Sequence, residues 1–333
     1  METIYLDNAA TTQVKPAVVE AMIPYYTLAY GNPSSVHALG RKARQALDKA
    51  RGQVAAVLGA TPQEIYFTGC GTESDNWAIK GAALRHRKKG NHIITSSIEH
   101  HAVLHTCQWL ERNGFEVTYL PVDEYGLVDP KDLEAAITPQ TILVSIMFAN
   151  NEVGTVEPIE ALAKIAHDHG ALFHTDAVQA VGSIPVNVQE LDVDLLSLSA
   201  HKFYGPKGVG ALYVRKGVQI QPFMHGGAQE RAQRAGTENL ASIAGLAEAI
   251  TLACSDLEAH GRRLSGMRDR MIAGLMAKIP DLKLNGHPTR RLPGNVNVSV
   301  RYVEGESLLL ALDLEGIAAS SGSACTSGSL DPS

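Results

Sequence analysis

The sequence predicts a layered α/β protein whose mainly parallel sheet is covered by helices on both faces. From residue 64 onward, short β-branched and apolar runs alternate with amphipathic stretches of helical period. Alternation at this spacing implies right-handed crossovers, which lay helices on either side of parallel strands. After "RAGTENL" the pattern changes to long helical stretches and then a turn-rich region, which marks a second, smaller α+β unit.

The elements follow in order. "EIYFT" reads as a strand, and the helix after it runs to about residue 89, where "RHRKKG" places cations at its C-terminal end. "HIITSSI", the helix "HAVLHTCQWLERNG" and "EVTYLPV" come next, then "DPKDLEAAIT" and the buried strand "TILVSIMFAN". The helix "PIEALAKIAHDHG", the strand "ALFHTDA" and the strands within "DLLSLSAHK" and "GALYVRK" complete the first unit. Helical stretches from about 239 to 279, the turn region "NGHPTRRLPGN", the strand "NVNVSV", the helix "GESLLLALDLEG" and the short strand "IAASS" make the second. The expected division is a large domain over 15–254 and a small one made of 1–14 and 255–333.

Composition narrows the function classes. The chain has 333 residues, 45% hydrophobic and 19% charged, enough for two domains. A net charge of −6 and a pI near 6.1 leave no electrostatic footprint for nucleic acid. Cys70, Cys107, Cys254 and Cys325 form no CxxC pair, which disfavours a zinc site or a disulfide framework and points to a reducing cytosol. "METIYLDNAATT" lacks a signal pattern, and the longest apolar run, "ILVSIMFA", is too short to span a bilayer. A cytoplasmic protein without membrane or direct nucleic-acid partners is expected.

Ligands of open α/β sheets sit at the carboxyl ends of the strands, so the residues just after each strand are the candidates. "GCGTESDN" places Gly71 and Thr72 at a strand-to-helix turn, where backbone N–H groups and the helix dipole favour a phosphate. Glu99-His100-His101 and Asn150-Asn151-Glu152 follow two further strands. Asp176 and Gln179 follow a fourth, and a carboxylate ending a buried strand implies a cationic partner. Lys202, in "SLSAHKFYGPKGVG", ends an apolar strand, which reads either as a loop lysine reaching solvent or as a partly desolvated ammonium suited to amine nucleophilicity. A phosphate cradle, a carboxylate for a protonated ring nitrogen, a histidine to cover a ring and a Schiff-base lysine are what pyridoxal 5'-phosphate requires. Cys325 stands apart, in the Ser/Gly-rich "AASSGSACTSGSLDPS", a polar setting for a thiol that is meant to be reached.

Long motifs in one order, "YLDNAATT", "GNPSSVHALGRKAR", "GTESDNWAIKGAA", "EHHAVL", "NNEVGTVEPI", "HTDAVQAVG", "SAHKFYGPKGVGALYVR", "GGAQERAQRAGTEN" and "YVEGESLLLALD", span nearly the whole chain. In these the sequence resembles the cysteine desulfurases of the NifS/IscS type, in the class V aminotransferase group of fold type I pyridoxal phosphate enzymes. The resemblance implies a large domain with a seven-stranded type of sheet and a small domain that is incomplete at its C-terminus. It implies that Lys202 carries the cofactor and shuttles a proton, Asp176 keeps the pyridinium protonated, Gln179 bonds the phenolate oxygen, and His100 stacks on the ring. Gly71, Thr72, Ser199 and His201 would hold the phosphate, joined by Thr237 of a second subunit, with Asn151 beside the substrate. Cys325 would take the sulfur of L-cysteine as a persulfide while the substrate leaves as L-alanine, and a Ser/Gly loop would let it carry that sulfur to an acceptor protein of iron-sulfur cluster assembly or tRNA thiolation.

The family also supplies a substrate-carboxylate arginine from a later segment, and no arginine follows Arg301 here. Another class V enzyme, an aminotransferase or a selenocysteine lyase, is the near alternative. More distant ones are a metal-dependent enzyme built on His101, His105 and the His174-x-Asp176 pair, and a non-catalytic scaffold.

Overall fold

The computed structural model describes residues 3–322. Three helices precede the predicted alternation: the strand β1 (Ile4–Tyr5) leads to α1 (Pro16–Met22), α2 (Pro24–Thr27) and α3 (Ala38–Leu58). The His37 ring accepts the Gly40 N–H at the start of α3, and Gly59, at φ 70°, ends it in the left-handed conformation that glycine tolerates best. The alternation follows as β2 (Ile65–Thr68), α4 (Gly71–His86), β3 (His92–Ser96), α5 (His101–Arg112), β4 (Glu116–Leu120), α6 (Pro130–Ala136), β5 (Thr141–Ser145), α7 (Ile159–Asp168), β6 (Leu172–Asp176), β7 (Leu195–Ser199) and β8 (Gly210–Val214). Then come α8 (Leu240–Cys254), α9 (Leu257–Lys278), β9 (Leu282–Leu284), β10 (Val298–Val300), α10 (Gly305–Leu314) and β11 (Ile317–Ala318).

Seven strands form one sheet in the order β2-β8-β7-β6-β5-β3-β4. All its pairs are parallel except those of β8, which runs antiparallel to both β2 and β7. Every residue of β3, β5, β7 and β8 is buried, as a sheet covered on both faces requires. Successive residues serve opposite cores: Ile94, Val144 and Leu196 pack toward α3, α7 and α8, whereas Ile93, Leu143 and Leu195 pack toward α4 and α5. The register sets Thr68 and Ser199 opposite Gly210, so β2 and the parallel strands end at one edge. That edge collects the residues after Thr68, Ser96, Ser145, Asp176 and Ser199.

Two predicted strands end earlier than expected. β5 stops at Ser145 rather than Asn150, because the chain turns away while still donating from Ile146 N to His174 O (3.1 Å) and from Phe148 N to Asp176 O (2.8 Å). β7 stops at Ser199, and Ala200–Lys202 is a single tight helical turn that lifts Lys202 off the sheet.

The remaining elements form two small sheets, a parallel β1–β11 pair and an antiparallel β9–β10 pair. No residue of α9 or α10 is buried. The turn region 285–297 docks on the loop after β5 through Arg291, which donates to Val153 O (3.2 Å), Asn285 O (3.2 Å) and Asn295 Oδ1 (3.0 Å). Gly286 permits this approach, since a Cβ there would lie 2.2 Å from Val153 O. Among the described residues no single helix is long and apolar enough to cross a membrane.

Two buried polar sites tie the layers together. Arg51 of α3 grips Glu230 through two bonds of 2.7 and 2.8 Å, and the same carboxylate accepts Phe67 N of β2 at 3.0 Å. Between β5 and β7, His174 is fully buried, with Nδ1 on Ser145 Oγ (2.8 Å) and Nε2 on Ser197 Oγ (3.0 Å). Burial pushes the His174 imidazole down to about 3.

Each generates an expected outcome. Glu230→Ala leaves the Arg51 guanidinium buried and unpaired and lowers stability by about 3–5 kcal/mol in denaturant titration. A histidine held below its ordinary value binds fewer protons folded than unfolded, so its contribution is complete above the unfolded value and declines as pH falls from there toward about 3. His174→Asn costs about 1–3 kcal/mol at neutral pH through its altered hydrogen bonds. It also flattens the acid decline of the unfolding midpoint, and a midpoint that falls as steeply as in the parent chain would show that His174 is not the group responsible.

Candidate active site

Lys202 stands at the centre of the carboxyl edge. Its ammonium donates to the carbonyls of Ala9 and Ala10, the latter at 2.9 Å. The N-terminal segment thus lies over the lysine, and Gln179 fastens it by donating from Nε2 to Ala9 O at 2.9 Å. Thr12, itself buried, makes the segment part of the edge: its N–H and hydroxyl both donate to His201 O, at 2.9 and 2.8 Å, and its Oγ1 accepts Tyr204 N at 2.8 Å. In sequence "YLDNAATT" stands as a family motif with no evident place in the site. Its run of small residues was the signal available, because small side chains let a backbone approach a lysine closely.

Asp176 ends β6 only 6% exposed, with Oδ1 accepting Val178 N at 2.9 Å. Burial raises its carboxyl above the usual range, against the lowering effects of the Val178 N–H, His100 and Lys202. His100 caps α5, its Nδ1 accepting Ala102 N at 3.1 Å. Burial is the largest influence on its imidazole, which lies below its ordinary value although Asp176 pulls the other way. His201, with Nδ1 3.2 Å from Thr11 Oγ1, is pushed down to about 4 by burial and by Lys202 and Lys207. Both rings are therefore neutral at pH 7.

The turn expected to hold a phosphate is built from α4 and β7. Gly71 begins α4, and a Cβ on it would meet Val178 Cγ2 at 2.8 Å and Ser199 Cβ at 3.4 Å. Ser199 is 2% exposed, and its Oγ lies buried without a hydrogen-bond partner. Thr72 is exposed beside it. The close packing of Val178 and Ser199 on Gly71 explains the glycine, while an unpartnered buried hydroxyl beside a helix N-terminus fits an anion here. Asp176, a buried carboxyl that burial holds above its ordinary range even with Lys202 and His100 nearby, fits a protonated ring nitrogen. The residues present therefore fit pyridoxal phosphate.

Two carboxyls form a layer behind the site: Glu99, noted in sequence only as following a strand, and Asp75, which the sequence does not single out. Glu99, 5% exposed, accepts Ser96 Oγ (2.6 Å) and Met147 N (2.9 Å), and burial pushes its carboxyl up to about 8. Asp75 of α4 is 1% exposed, 3.7 Å from His174 Nε2, and raised well above the usual range by burial and by Asp176. Neither follows a pattern that periodicity reveals, since both face inward from positions that read as polar.

Asn151 is half-buried after β5, beside Asn150, whose Oδ1 accepts Glu152 N (2.8 Å) and Val153 N (2.9 Å) to shape that turn. Thr237 is exposed on the loop before α8. Cys325 lies outside the described residues. His101 and His105 stack with ring centres 5.0 Å apart, and among the described residues no three of His, Cys, Asp or Glu are grouped to hold a metal. Cys107 is buried and pushed up to about 12 by burial, which makes it an inert packing residue.

Comparison with known proteins identifies the family. Residues 4–332 match the family model described as aminotransferase class-V. The cysteine desulfurase IscS of Methanosarcina thermophila is 60% identical over 332 residues, all of this chain and 82% of that protein. Its namesake from Dictyoglomus turgidum is 58% identical over 330 residues, 99% of this chain and 84% of that protein. A solved NifS-like protein superposes with a TM-score of 0.93 at 44% identity, covering 96% of this chain and 87% of that one. A structure described as SspA in complex with cysteine gives 0.84 at 38% identity, covering 98% and 91%. The mixed seven-stranded sheet flanked by helices is the fold type I arrangement. With the lysine, carboxylate and phosphate turn at one sheet edge, the chain belongs to the class-V aminotransferase family and, within it, to the cysteine desulfurases of the IscS/NifS type.

Proposed function

We propose that this chain converts L-cysteine to L-alanine, with the sulfur passing to Cys325 as a persulfide and onward to iron-sulfur cluster assembly or tRNA thiolation. The observation that carries the reading is the convergence of Lys202, Asp176 and the Gly71–Ser199 cradle, in a chain 60% identical to a cysteine desulfurase. The family depends on pyridoxal phosphate, which when bound supplies an electrophilic carbon for amines and an electron sink for the substrate Cα.

Each residue then has a task. Lys202 would hold the cofactor through Nζ, and its amine is the group placed to move a proton at the substrate carbon. Asp176 holds the ring nitrogen protonated, a role its buried position strengthens because opposite charges attract more strongly away from water. His100, neutral at pH 7, covers the ring and accepts a proton. Gln179 donates to the phenolate oxygen. Ser199, His201, Thr72 and the Gly71 N–H hold the phosphate, and Asn151 lies beside the substrate. The Cys325 thiolate takes the substrate sulfur; the C–S bond breaks, its electron pair stays on carbon, and a proton completes alanine. A thiol of the acceptor protein or a small reductant then removes the persulfide sulfur.

A homodimer with Thr237 reaching the second copy's phosphate completes the reading. Its support is an exposed apolar stretch, Ile23, Tyr26, Leu28, Tyr30 and Val36, at 52, 62, 76, 64 and 88% exposure, which a second copy would cover. The parallel pairing of Ile4–Tyr5 with Ile317–Ala318 supports a small domain of 1–14 and 255–333 beside a large one of 15–254. Reducing conditions suit the Cys325 chemistry, as the cytoplasm provides.

The test is spectroscopic and chemical. With pyridoxal phosphate the purified chain shows the near-visible band of a lysine-bound cofactor, and with L-cysteine and a reductant it releases sulfide and alanine in equal amounts. Lys202→Ala removes the band; a band that persists would refute the lysine assignment. Cys325→Ala keeps the band but releases neither product, whereas an aminotransferase would be indifferent to this change. Asp176→Asn lowers kcat by about 100-fold or more, the scale of losing one buried electrostatic partner of the reacting system.

A further inference from the structure

Glu73 joins two loops that the reading above treats separately. In the first turn of α4, its Oε2 accepts Gly69 N at 2.8 Å, within the turn that leads to Gly71 and Thr72. The same carboxylate is forked by Arg234, with Nε on Oε1 at 2.7 Å and Nη2 on Oε2 at 3.2 Å. Both side chains are mostly buried, 16% exposed for Glu73 and 18% for Arg234, and a planar two-point pair of this kind fixes orientation as well as distance. Arg234 stands three residues before Thr237.

The loop that carries Arg234 holds an unfavourable conformation. Glu230, Arg231 and Ala232 lie in sequence at φ 43, 58 and 62°, a region that L residues rarely occupy singly and almost never in a row. Such a segment persists only where its surroundings over-determine it. Here the pins are the buried Arg51–Glu230 pair, Arg231 donating to Ile65 O at 2.7 Å while lying over the Tyr66 ring, and the Arg234–Glu73 fork. Backbone bonds from Ala235 N to Met224 O (3.1 Å) and from Phe223 N to Gln233 O (3.2 Å) close the base of the loop. The first two pins attach to α3 and β2; only the third attaches to the phosphate turn.

We propose that Glu73 and Arg234 are positioning residues that mount the Thr237 loop on the protomer's own phosphate turn, so that the loop serving the second copy's cofactor is set by the first copy's site. The proposal rests on the reading that Thr237 reaches the second copy. Its sign is distinctive. Glu73 places a negative charge on the turn that receives a phosphate dianion, so by charge alone Glu73→Gln favours cofactor binding. A positioning role makes the same change weaken it.

The test is titration of the cofactor-free full chain with pyridoxal 5'-phosphate, followed by absorbance, with the dimer fraction measured by light scattering. Glu73→Gln and Thr237→Ala each weaken binding by about tenfold, and the double variant is no weaker than the weaker single. Arg234→Gln, which breaks the pair from the loop side and leaves the Glu73 charge in place, behaves as Glu73→Gln does and is likewise not additive with Thr237→Ala. Unchanged or tighter binding in Glu73→Gln overturns the proposal. So does multiplication of the two single effects to about 100-fold in the double variants, since Glu73 would then act on its own phosphate turn alone. Thr237→Ala binding as tightly as the parent removes the cross-subunit premise itself, an outcome distinguishable because the Glu73 and Arg234 effects would then stand without it.

Discussion

Burial of charge at the carboxyl edge of a sheet covered on both faces is the constraint from which the rest of the site follows. Asp176 ends a central strand almost out of water, where an ionised carboxyl is costly without a cation. One backbone N–H, from Val178, goes only part of the way. Lys202 and His100 each stabilise the charged form, yet burial still raises the carboxyl above its ordinary range. The cationic ring nitrogen of the proposed cofactor would supply what the protein alone leaves short, and through this one residue the fold bears on the proposed choice of cofactor.

The surroundings limit competition for that charge. Asp75 and Glu99 are buried close enough to influence other carboxyls, and burial holds both above the ordinary carboxylate range. His174, held neutral between two serines, adds no positive charge to the layer behind the site. Negative charge is thereby favoured at Asp176, the carboxyl that faces Lys202 and His100. The N-terminal segment completes the arrangement from the other side, offering Ala9 and Ala10 carbonyls to the lysine rather than a competing carboxylate.

Much of the fold and the position of the candidate residues at strand ends was legible in sequence because both follow local rules. Strands at "HIITS" and "LLSLS" announce themselves by continuous apolar runs, and the turn at Gly71 by its glycines. Asp176 and Lys202 stood out because a charge just after an apolar run must have a partner. The helices over 16–58 were not delineated, and β5 was read five residues too long because apolar residues continue to Ala149 after the ladder has ended. Glu99 is visible at a strand end but without a role, and Asp75 and Glu73 are not singled out, since an acidic residue on a helix or turn reads as solvent-facing unless its neighbours in space are known.

Sequence by itself determined the layered α/β class, the strand ends that carry chemistry and the residue types that pyridoxal phosphate demands, because hydrophobic period and turn chemistry act over a few residues. Tertiary structure alone decided that Ala9 and Ala10 lie on Lys202, across about 190 residues, and that Glu73 meets Arg234 across 161. It also decided that Arg51 and Glu230 are buried together, 179 residues apart. Such pairs leave no periodic trace in the chain. They arise where strand order brings distant turns to one edge, and there the cost of burying charge selects which side chains must meet.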